Sequence, residues 1–246
     1  MSRGHPVEFT YSAYGKLIDL LKENGYCFCN YHNYDSLPHV VILRHDVDYS
    51  LEKALTLAKF EASIGTRSTY FLLLSSDFYN IASKKSQEII YEIVKLGHEV
   101  GLHFDEKKYQ NQKQSIERLI QNEAKTMSEI LDIRITTVSM HRPSKETLEA
   151  DYHLDGLVNS YGRIFFLDFK YVSDSRMDWK EDICCMVANH QYNRLHILTH
   201  AFWYGDTQKE TKTILLDFIK SGAMQRYDSL NENFRNLNEF ISAEEI

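Results

Sequence analysis

The stretch Val40-Val41-Ile42-Leu43-Arg44-His45-Asp46-Val47-Asp48-Tyr49-Ser50 decides how this chain is read. An apolar run leads straight into two carboxylates, Asp46 and Asp48, and a helical pattern follows. Side chains of a strand alternate between faces, so Arg44, Asp46 and Asp48 point the same way. Two acids on one face at a strand's end repel each other unless a cation or a proton sits between them. That is costly in a structural element and useful in a metal-assisted hydrolase. An isolated Asp-x-Asp is ordinarily solvated loop charge; the position of this pair, directly after a buried-type strand, points instead to chemistry.

Working outward, 246 residues with 43% hydrophobic content suffice for one full-sized domain with a core. The chain has only three prolines and no Pro/Gly/Ser-rich linker, so residues 1–246 read as a single domain. A formal net charge of −7 without any dense Lys/Arg run argues against nucleic acid or an anionic membrane as partner. Lys84-Lys85 and Lys107-Lys108 read as solvated pairs. No apolar leader follows Met1 and no run approaches membrane-spanning length, which leads us to expect a cytoplasmic protein without a membrane span. Cys27-x-Cys29 and Cys184-Cys185 match no usual zinc spacing and read as reduced, partly buried thiols.

Strand and helix patterns alternate. A helical extension occupies about residues 1–39, with its helix near Tyr11–Glu23, and the first buried-type strand is Val40–Arg44. Leu51, Ala54, Leu55, Ala58 and Ala62 then recur on one helical face. Further strands are expected at Thr69–Leu74, His98–His103, Ile135–Met140, Leu157–Ser160, Phe169–Ser173 and Asn193–His200. Helices are expected at Ser86–Leu96, closed by Gly97, and along the stripe Ile116 to Leu131. Helical cover follows over about 206–246: one piece at Thr211–Lys220, then an amphipathic helix carrying Leu230, Phe234, Leu237 and Ile241. This alternation implies an α/β fold with a mainly parallel sheet, either a closed barrel or a doubly wound open sheet. In both, function gathers at the carboxyl ends of the strands.

Polar residues do collect there. Asp46 and Asp48 follow the first strand, His103 and Asp105 the third, His141-Arg142-Pro143-Ser144 the fourth, Ser173-Asp174-Ser175 the sixth and Leu198-Thr199-His200 the seventh. Other polar residues have plainer readings. By strand parity His45 and His98 face away from the acids and satisfy local hydrogen bonds, and His196 lies deeper, as a core histidine. Asp174 and Asp178 are also placed to cap a helix starting near Trp179, a role that suits Asp178 better. Cys184-Cys185 reads as core.

In this order the clusters resemble the motifs of the polysaccharide deacetylase superfamily of metal-dependent carbohydrate esterases, over about Val40 to Tyr204. Asp46-Val47-Asp48 is similar to its paired-aspartate motif, Gly97-His98-Glu99-Val100-Gly101-Leu102-His103 to its glycine-histidine strand, Arg142-Pro143 to its arginine-proline motif, Asp174-Ser175-Arg176-Met177-Asp178-Trp179 to its aspartate-serine-tryptophan motif with one residue inserted, and Leu198-Thr199-His200 to its leucine-x-histidine motif. Arg44-His45-Asp46-Val47-Asp48, with His141-Arg142-Pro143-Ser144 and Ser173-Asp174-Ser175, resembles a divergent subgroup found among bacterial surface-polysaccharide genes.

The resemblance implies a distorted (β/α)7 barrel, with Asp46 as general base, Asp48 and His103 as metal ligands, His200 as general acid, and Arg142 and Asp174 orienting the base and the acid. Family members place a second ligand histidine four residues after the first, where this chain has Lys107. His141 is the best substitute and Asp105 the next. One Asp and two His suit a divalent ion, zinc best, without excluding iron, cobalt or manganese. The expected reaction is removal of an N-acyl group, acetyl or formyl, from an amino sugar or glycan precursor. Two alternatives stand beside it: an amidohydrolase of small ureide or ring amides, and a metal-free binding module, suggested by Lys107. Pocket walls are expected from loops Ser75–Ser83 and Gly162–Lys170, with Phe78, Tyr79, Phe165 and Phe166 as stacking faces, and from Trp203-Tyr204.

Overall fold

The strand that opens the argument is the spine of the molecule. A computed structural model describes residues 7–35, 37–110 and 113–246. The first part of the chain runs α1 (Tyr11–Glu23), β1 (Cys27–Cys29), β2 (Val40–Val47), α2 (Leu51–Ser63), β3 (Thr69–Leu72), α3 (Lys84–Lys95) and β4 (Glu99–Asp105). It continues through α4 (Ile116–Leu131), β5 (Thr137–His141), α5 (Lys145–Glu149), β6 (Val158–Asn159), α6 (Ile164–Leu167), β7 (Lys170–Ser173), α7 (Ile183–Ala188), β8 (Arg194–Thr199) and α8 (Thr211–Asn233).

All strand pairs are parallel, in the order β6-β5-β4-β3-β2-β8-β7. Among the described residues no ladder joins β6 to β7, so the sheet is a curled half-barrel with surrounding helices, barrel-like but open on one side. Between a closed barrel and a doubly wound open sheet, the fold is thus the barrel-like one, distorted by its open side as expected. An eighth strand completes the sheet: β1 pairs with Val40–Ile42 of β2. Because β8 takes the other edge of β2 over Val40–His45, β1 and β3 share one edge, β1 below and β3 above. The segment expected to be a helical extension therefore contributes a strand, and Thr10 bridges to Gly205 as well. Three residues are too few to carry a period, which is why Cys27-Phe28-Cys29 gives no strand signal. The first six residues of that segment lie outside the described residues.

Alternation along β2 stratifies the interior. Val40 and Ile42 join Cys29, Tyr31, Phe71, Phe165 and Phe169 in a buried apolar cluster. Arg44 follows on the same face, then Asp46 and Asp48. Gly101 of β4 makes room at this level: a Cβ there would lie 2.6 Å from the Phe71 ring and from Thr137 Oγ1. The expected stop of α3 at Gly97 holds, with φ +92 and no space for a side chain beside Arg67. Ser50, Ser83 and Ser115 cap α2, α3 and α4 by accepting from Lys53, Ser86 and Arg118 amides.

By contacts the chain divides into two compact units, Met1–Asp206 and Thr207–Ile246. In the second, α8 runs unbroken for 23 residues where two helical pieces are expected. Gly222 costs a helix only about 1 kcal/mol and does not interrupt it. The chain leaves the helix at Phe234, which is extended, and Asn236 is left-handed at φ 60. Leu237 and Ile241 consequently fall in and after a short 3₁₀ turn rather than on a helix face. Among the described residues no helix is long and apolar enough to cross a membrane.

Candidate metal centre

The parallel sheet brings the carboxyl ends of β2, β4, β5, β7 and β8 together. Register places His103 opposite Ser139 and His45 opposite Thr199, so Asp48, His103, His141 and His200 converge on one spot. Asp48 Oδ1 lies 3.3 Å from His103 Nε2 and 3.2 Å from His141 Nδ1, and the two ring nitrogens are 3.0 Å apart. Ligand atoms about 2.0–2.1 Å from a tetrahedral zinc ion are separated by about 3.3–3.4 Å, close to this triangle. The buried Asp48 Oδ1 accepts no hydrogen bond of good geometry. A buried carboxylate oxygen facing two imidazole nitrogens is the donor set a divalent cation would satisfy, and the residues fit one. Burial opposes charge on Asp48, but His103 and His141 hold its carboxyl far below the usual carboxylate range.

Asp46 sits one layer deeper, and its partner is not the expected one. Arg44 Nη2 donates to Asp46 Oδ2 at 2.8 Å, whereas Arg142 Nη2 donates to Asp105 Oδ2 at 2.9 Å. Arg142 is turned away because it adopts φ 49, so the chain leaves β5 sharply after His141 and the guanidinium lies 58% exposed. Asp105 is occupied too: its other oxygen accepts from the Lys107 amide. It does not join the triangle, and His141 does. Burial raises the cost of charge on Asp46, yet Arg44, with His103 and His200, keeps its carboxyl below the usual range.

His200 closes the far side. Its Nδ1 bonds Asp174 Oδ1 at 2.6 Å, its amide donates to Asp174 Oδ2, and its Nε2 points 4.0 Å from Asp48 Oδ2. Burial disfavours the imidazolium, but Asp174, then Asp46 and Asp48, override it and lift the pKa to about 9. Asp174 is fully buried and caps no helix. The cap expected near Trp179 belongs to Asp182, at the start of α7, while Asp178 pairs with Lys180.

Residues given plainer readings separate cleanly. His45 and His98 lie on the other face and serve Glu61. His196 is a core histidine, bonded to Tyr31 at 2.7 Å, with burial and then Arg44 pushing its pKa down to about 3. Cys184 is half-buried and Cys185 exposed, so that pair is not core. Of the expected stacking rings, Phe165 is buried in the interior cluster, and Tyr79 spends its hydroxyl on Val47 O and the Leu73 amide. Tyr204 is core, packed on Phe9 and Tyr14. An aromatic group next to Asp48 remains: Tyr49 stands 5.3 Å from Phe78 and 4.8 Å from Phe202, with Trp203 beside Phe202.

Arg44, Ser139, Ser160 and Tyr161 also line the site, none of them given a role from sequence. Arg44 is fully buried, between the Phe71 and Tyr161 rings at 5.3 and 4.9 Å, and donates to Ser160 Oγ as well. Its parity with Asp46 was the available signal; Ser139 and Ser160 had none.

No family model matches the chain. No curated protein matches it either. Solved structures do. A family 4 carbohydrate esterase from Bacillus anthracis is 15% identical, covering 83% of this chain and 86% of that one at a TM-score of 0.44. A family 4 carbohydrate esterase from Streptomyces lividans in complex with acetate is 18% identical, covering 66% and 79% at 0.43. A family 4 pseudoenzyme from Bacillus anthracis is 14% identical, covering 81% and 66% at 0.43.

Proposed function

We propose that this chain is a metal-dependent hydrolase that removes an N-acetyl or N-formyl group from an amino sugar or glycan precursor. One observation carries the reading: a three-atom cradle for a divalent cation lies between a carboxylate held ionised and a histidine held protonated. The motif resemblance points to the same chemistry. Asp48, His103 and His141 would hold the ion, and one carboxylate with two imidazoles suits zinc best. Such an ion, when bound, supplies Lewis acidity toward an acyl oxygen and a water molecule.

The rest of the reaction falls to the chain. Asp46, kept ionised beside Arg44, takes a proton from the attacking water as its oxygen bonds to the acyl carbon. His200, protonated at neutral pH and oriented by Asp174, gives a proton from Nε2 to the departing nitrogen as the C–N bond breaks. Asp46 ends protonated and His200 neutral, and passing one proton from the first to the second resets the site. The products are a free amino sugar and acetate or formate. Tyr49 and the exposed Phe78, backed by the buried Phe202, offer apolar faces of the kind that stack on sugar rings.

The test is a mass-spectrometric screen of metal-loaded protein against N-acyl sugar nucleotides, lipid-linked glycans, glycan polymers and ureides. Release of acetate or formate from a soluble or carrier-linked amino sugar is the expected result, and it fits a cytoplasmic setting. Turnover of ureides alone would replace this reading with the amidohydrolase. Absence of bound metal and of any turnover would leave a binding module.

A further inference from the structure

Arg44, Asp46, Ser139 and His103 form one hydrogen-bonded unit whose proton positions follow from counting donors. Arg44 can only donate, so Ser139 Oγ accepts from its Nη2 at 2.9 Å. Ser139 has one proton and two candidate acceptors, His103 Nδ1 at 3.0 Å and Asp46 Oδ1 at 3.4 Å. Arg44 already serves the other Asp46 oxygen, Oδ2. If the Ser139 proton went to His103, Asp46 Oδ1 would lose its hydroxyl donor in a site where Asp46 is only 5% exposed. The opposite tautomer would point a His103 Nε2 proton at Asp48 Oδ1, but that oxygen also has His141 Nδ1 at 3.2 Å to serve it, so losing the Ser139 donor to the buried Asp46 Oδ1 is the costlier outcome. The Ser139 proton therefore goes to Asp46, and His103 donates its own Nδ1 proton to Ser139. His103 Nε2 is then bare and faces Asp48 Oδ1, which is the tautomer a metal ligand needs.

We propose that Arg44, acting through Ser139, is the positioning residue of this site: it holds the Asp46 carboxylate directly and sets the tautomer of His103. The jobs of Asp46 and His103 rest on the reading given under Proposed function; the tautomer does not. The placement of Arg44 supports the role. Its planar guanidinium packs against two rings and is tied to Ser160, just after β6, which fixes it between its partners. One side chain of β2 thereby couples the orientation of the base to the orientation of a ligand on β4, across β5.

The experiment uses the full chain, metal-free and ¹⁵N-histidine-labelled, with long-range ¹H–¹⁵N correlation spectra to read the His103 tautomer. Co²⁺ is then titrated in and followed by its visible absorption. Wild-type His103 should carry its proton on Nδ1. Ser139→Ala should release that tautomer and weaken Co²⁺ binding by about 10–100-fold, as loss of an outer hydrogen-bond partner does. Arg44→Lys should move the His103 signals in the same direction, because a lysine cannot reach Asp46 and Ser139 with one planar fork. Should Arg44→Lys fail to fold, the wild-type tautomer and Ser139→Ala still decide. A wild-type His103 protonated on Nε2, or a Ser139→Ala protein with unchanged tautomer and Co²⁺ affinity within about twofold, overturns the proposal. Wild-type protein that shows the Nδ1 tautomer but binds no Co²⁺ would sink the metal-centre reading and leave the Arg44–Ser139 assignment standing.

Discussion

The two faces of β2 each bury a cluster of charge, and they are finished differently. On the outer face, Glu61 of α2 is fully buried and receives Tyr14 OH at 2.6 Å and His45 Nε2 at 2.9 Å on one oxygen, Ser68 Oγ at 2.6 Å and Tyr70 OH at 2.8 Å on the other. His45 and His98 are closed off in turn by Thr199 Oγ1 and the Ala58 carbonyl. On the inner face Arg44 and Asp46 are nearly as well served, but one layer higher Asp48 Oδ1 makes no hydrogen bond of good geometry. A closed network locks a helix to a sheet, and an open one waits for a ligand. The contrast sets His45 and His98, closed into the Glu61 network, against His103 and His141, which face Asp48 from the other side of the sheet.

The largest effects should follow from breaking the open side. Wild type is expected to hold about one divalent ion per chain and Asp48→Ala to hold none, read by elemental analysis of the purified proteins. Asp46→Asn should keep the shape and the ion while removing the proposed base, so turnover should drop between about a hundredfold and ten-thousandfold. An Asp46→Asn protein with near wild-type turnover would move the base elsewhere, although Asp105, its nearest rival, is already committed to Arg142.

Breaking the closed side should damage the fold and spare the ion. Glu61→Ala leaves several buried donors without an acceptor, each worth about 1–3 kcal/mol, so urea unfolding should report a loss of about 2–3 kcal/mol after local relaxation. Metal content per folded chain should stay at the wild-type level. If Glu61→Ala instead lost the ion and kept its stability, the assignment of the two faces would be reversed.

The same network sets an acid limit. Burial works against the Glu61 carboxylate, but His45 and then His98 bring its pKa down to about 2, from an ordinary value of 4.5. The unfolded chain therefore binds the proton first, and the stability Glu61 contributes is complete above about pH 4.5 and lost as pH falls toward 2. Burial depresses the His98 pKa as well, so uptake of its proton in the unfolded state erodes stability below the ordinary histidine range. Melting temperature should thus decline with acid in wild type, and the part of the decline between pH 4.5 and 2 should flatten in Glu61→Gln. An equal slope in both proteins would remove Glu61 from the account.

How far this contrast was legible in the sequence depends on which residues carry it. Alternation along Val40–Asp48 is local, and it correctly set Arg44, Asp46 and Asp48 against His45. Five strand-end clusters followed from parallel βα order alone. Cross-strand facts were out of reach: His103 meets Ser139 only through the β4–β5 register, and Glu61, six residues past Leu55 on an ordinary amphipathic helix, gives no sign that its carboxylate lies inside. The Arg142 expectation failed for a backbone reason, since its left-handed φ cannot be read from His141-Arg142-Pro143. The openness of the sheet likewise depends on whether β6 and β7 meet, which no single strand pattern encodes.

The smallest expected effect sharpens the comparison between the two arginines. Arg142 and Asp105 form an ion pair whose side chains are 58% and 22% exposed, against a fully buried Arg44 beside Asp46. Exposed pairs are worth about 0.2–1 kcal/mol, because water screens them and long side chains resist being fixed. Removing one partner of a buried pair costs about 3–5 kcal/mol, because the other charge is left in a dry site. Arg142→Ala should therefore lower stability by less than about 1 kcal/mol in urea, and Arg44→Met by several. The left-handed backbone at position 142 strains an alanine about as much as an arginine, so it adds little to the difference. The pair also predicts opposite responses to salt: 0.5 M NaCl should erase most of the Arg142 effect and little of the Arg44 effect. Equal losses for the two variants, insensitive to salt, would mean that Arg142 is held in solution by a buried partner, and the orientation of Asp46 would again be shared between them.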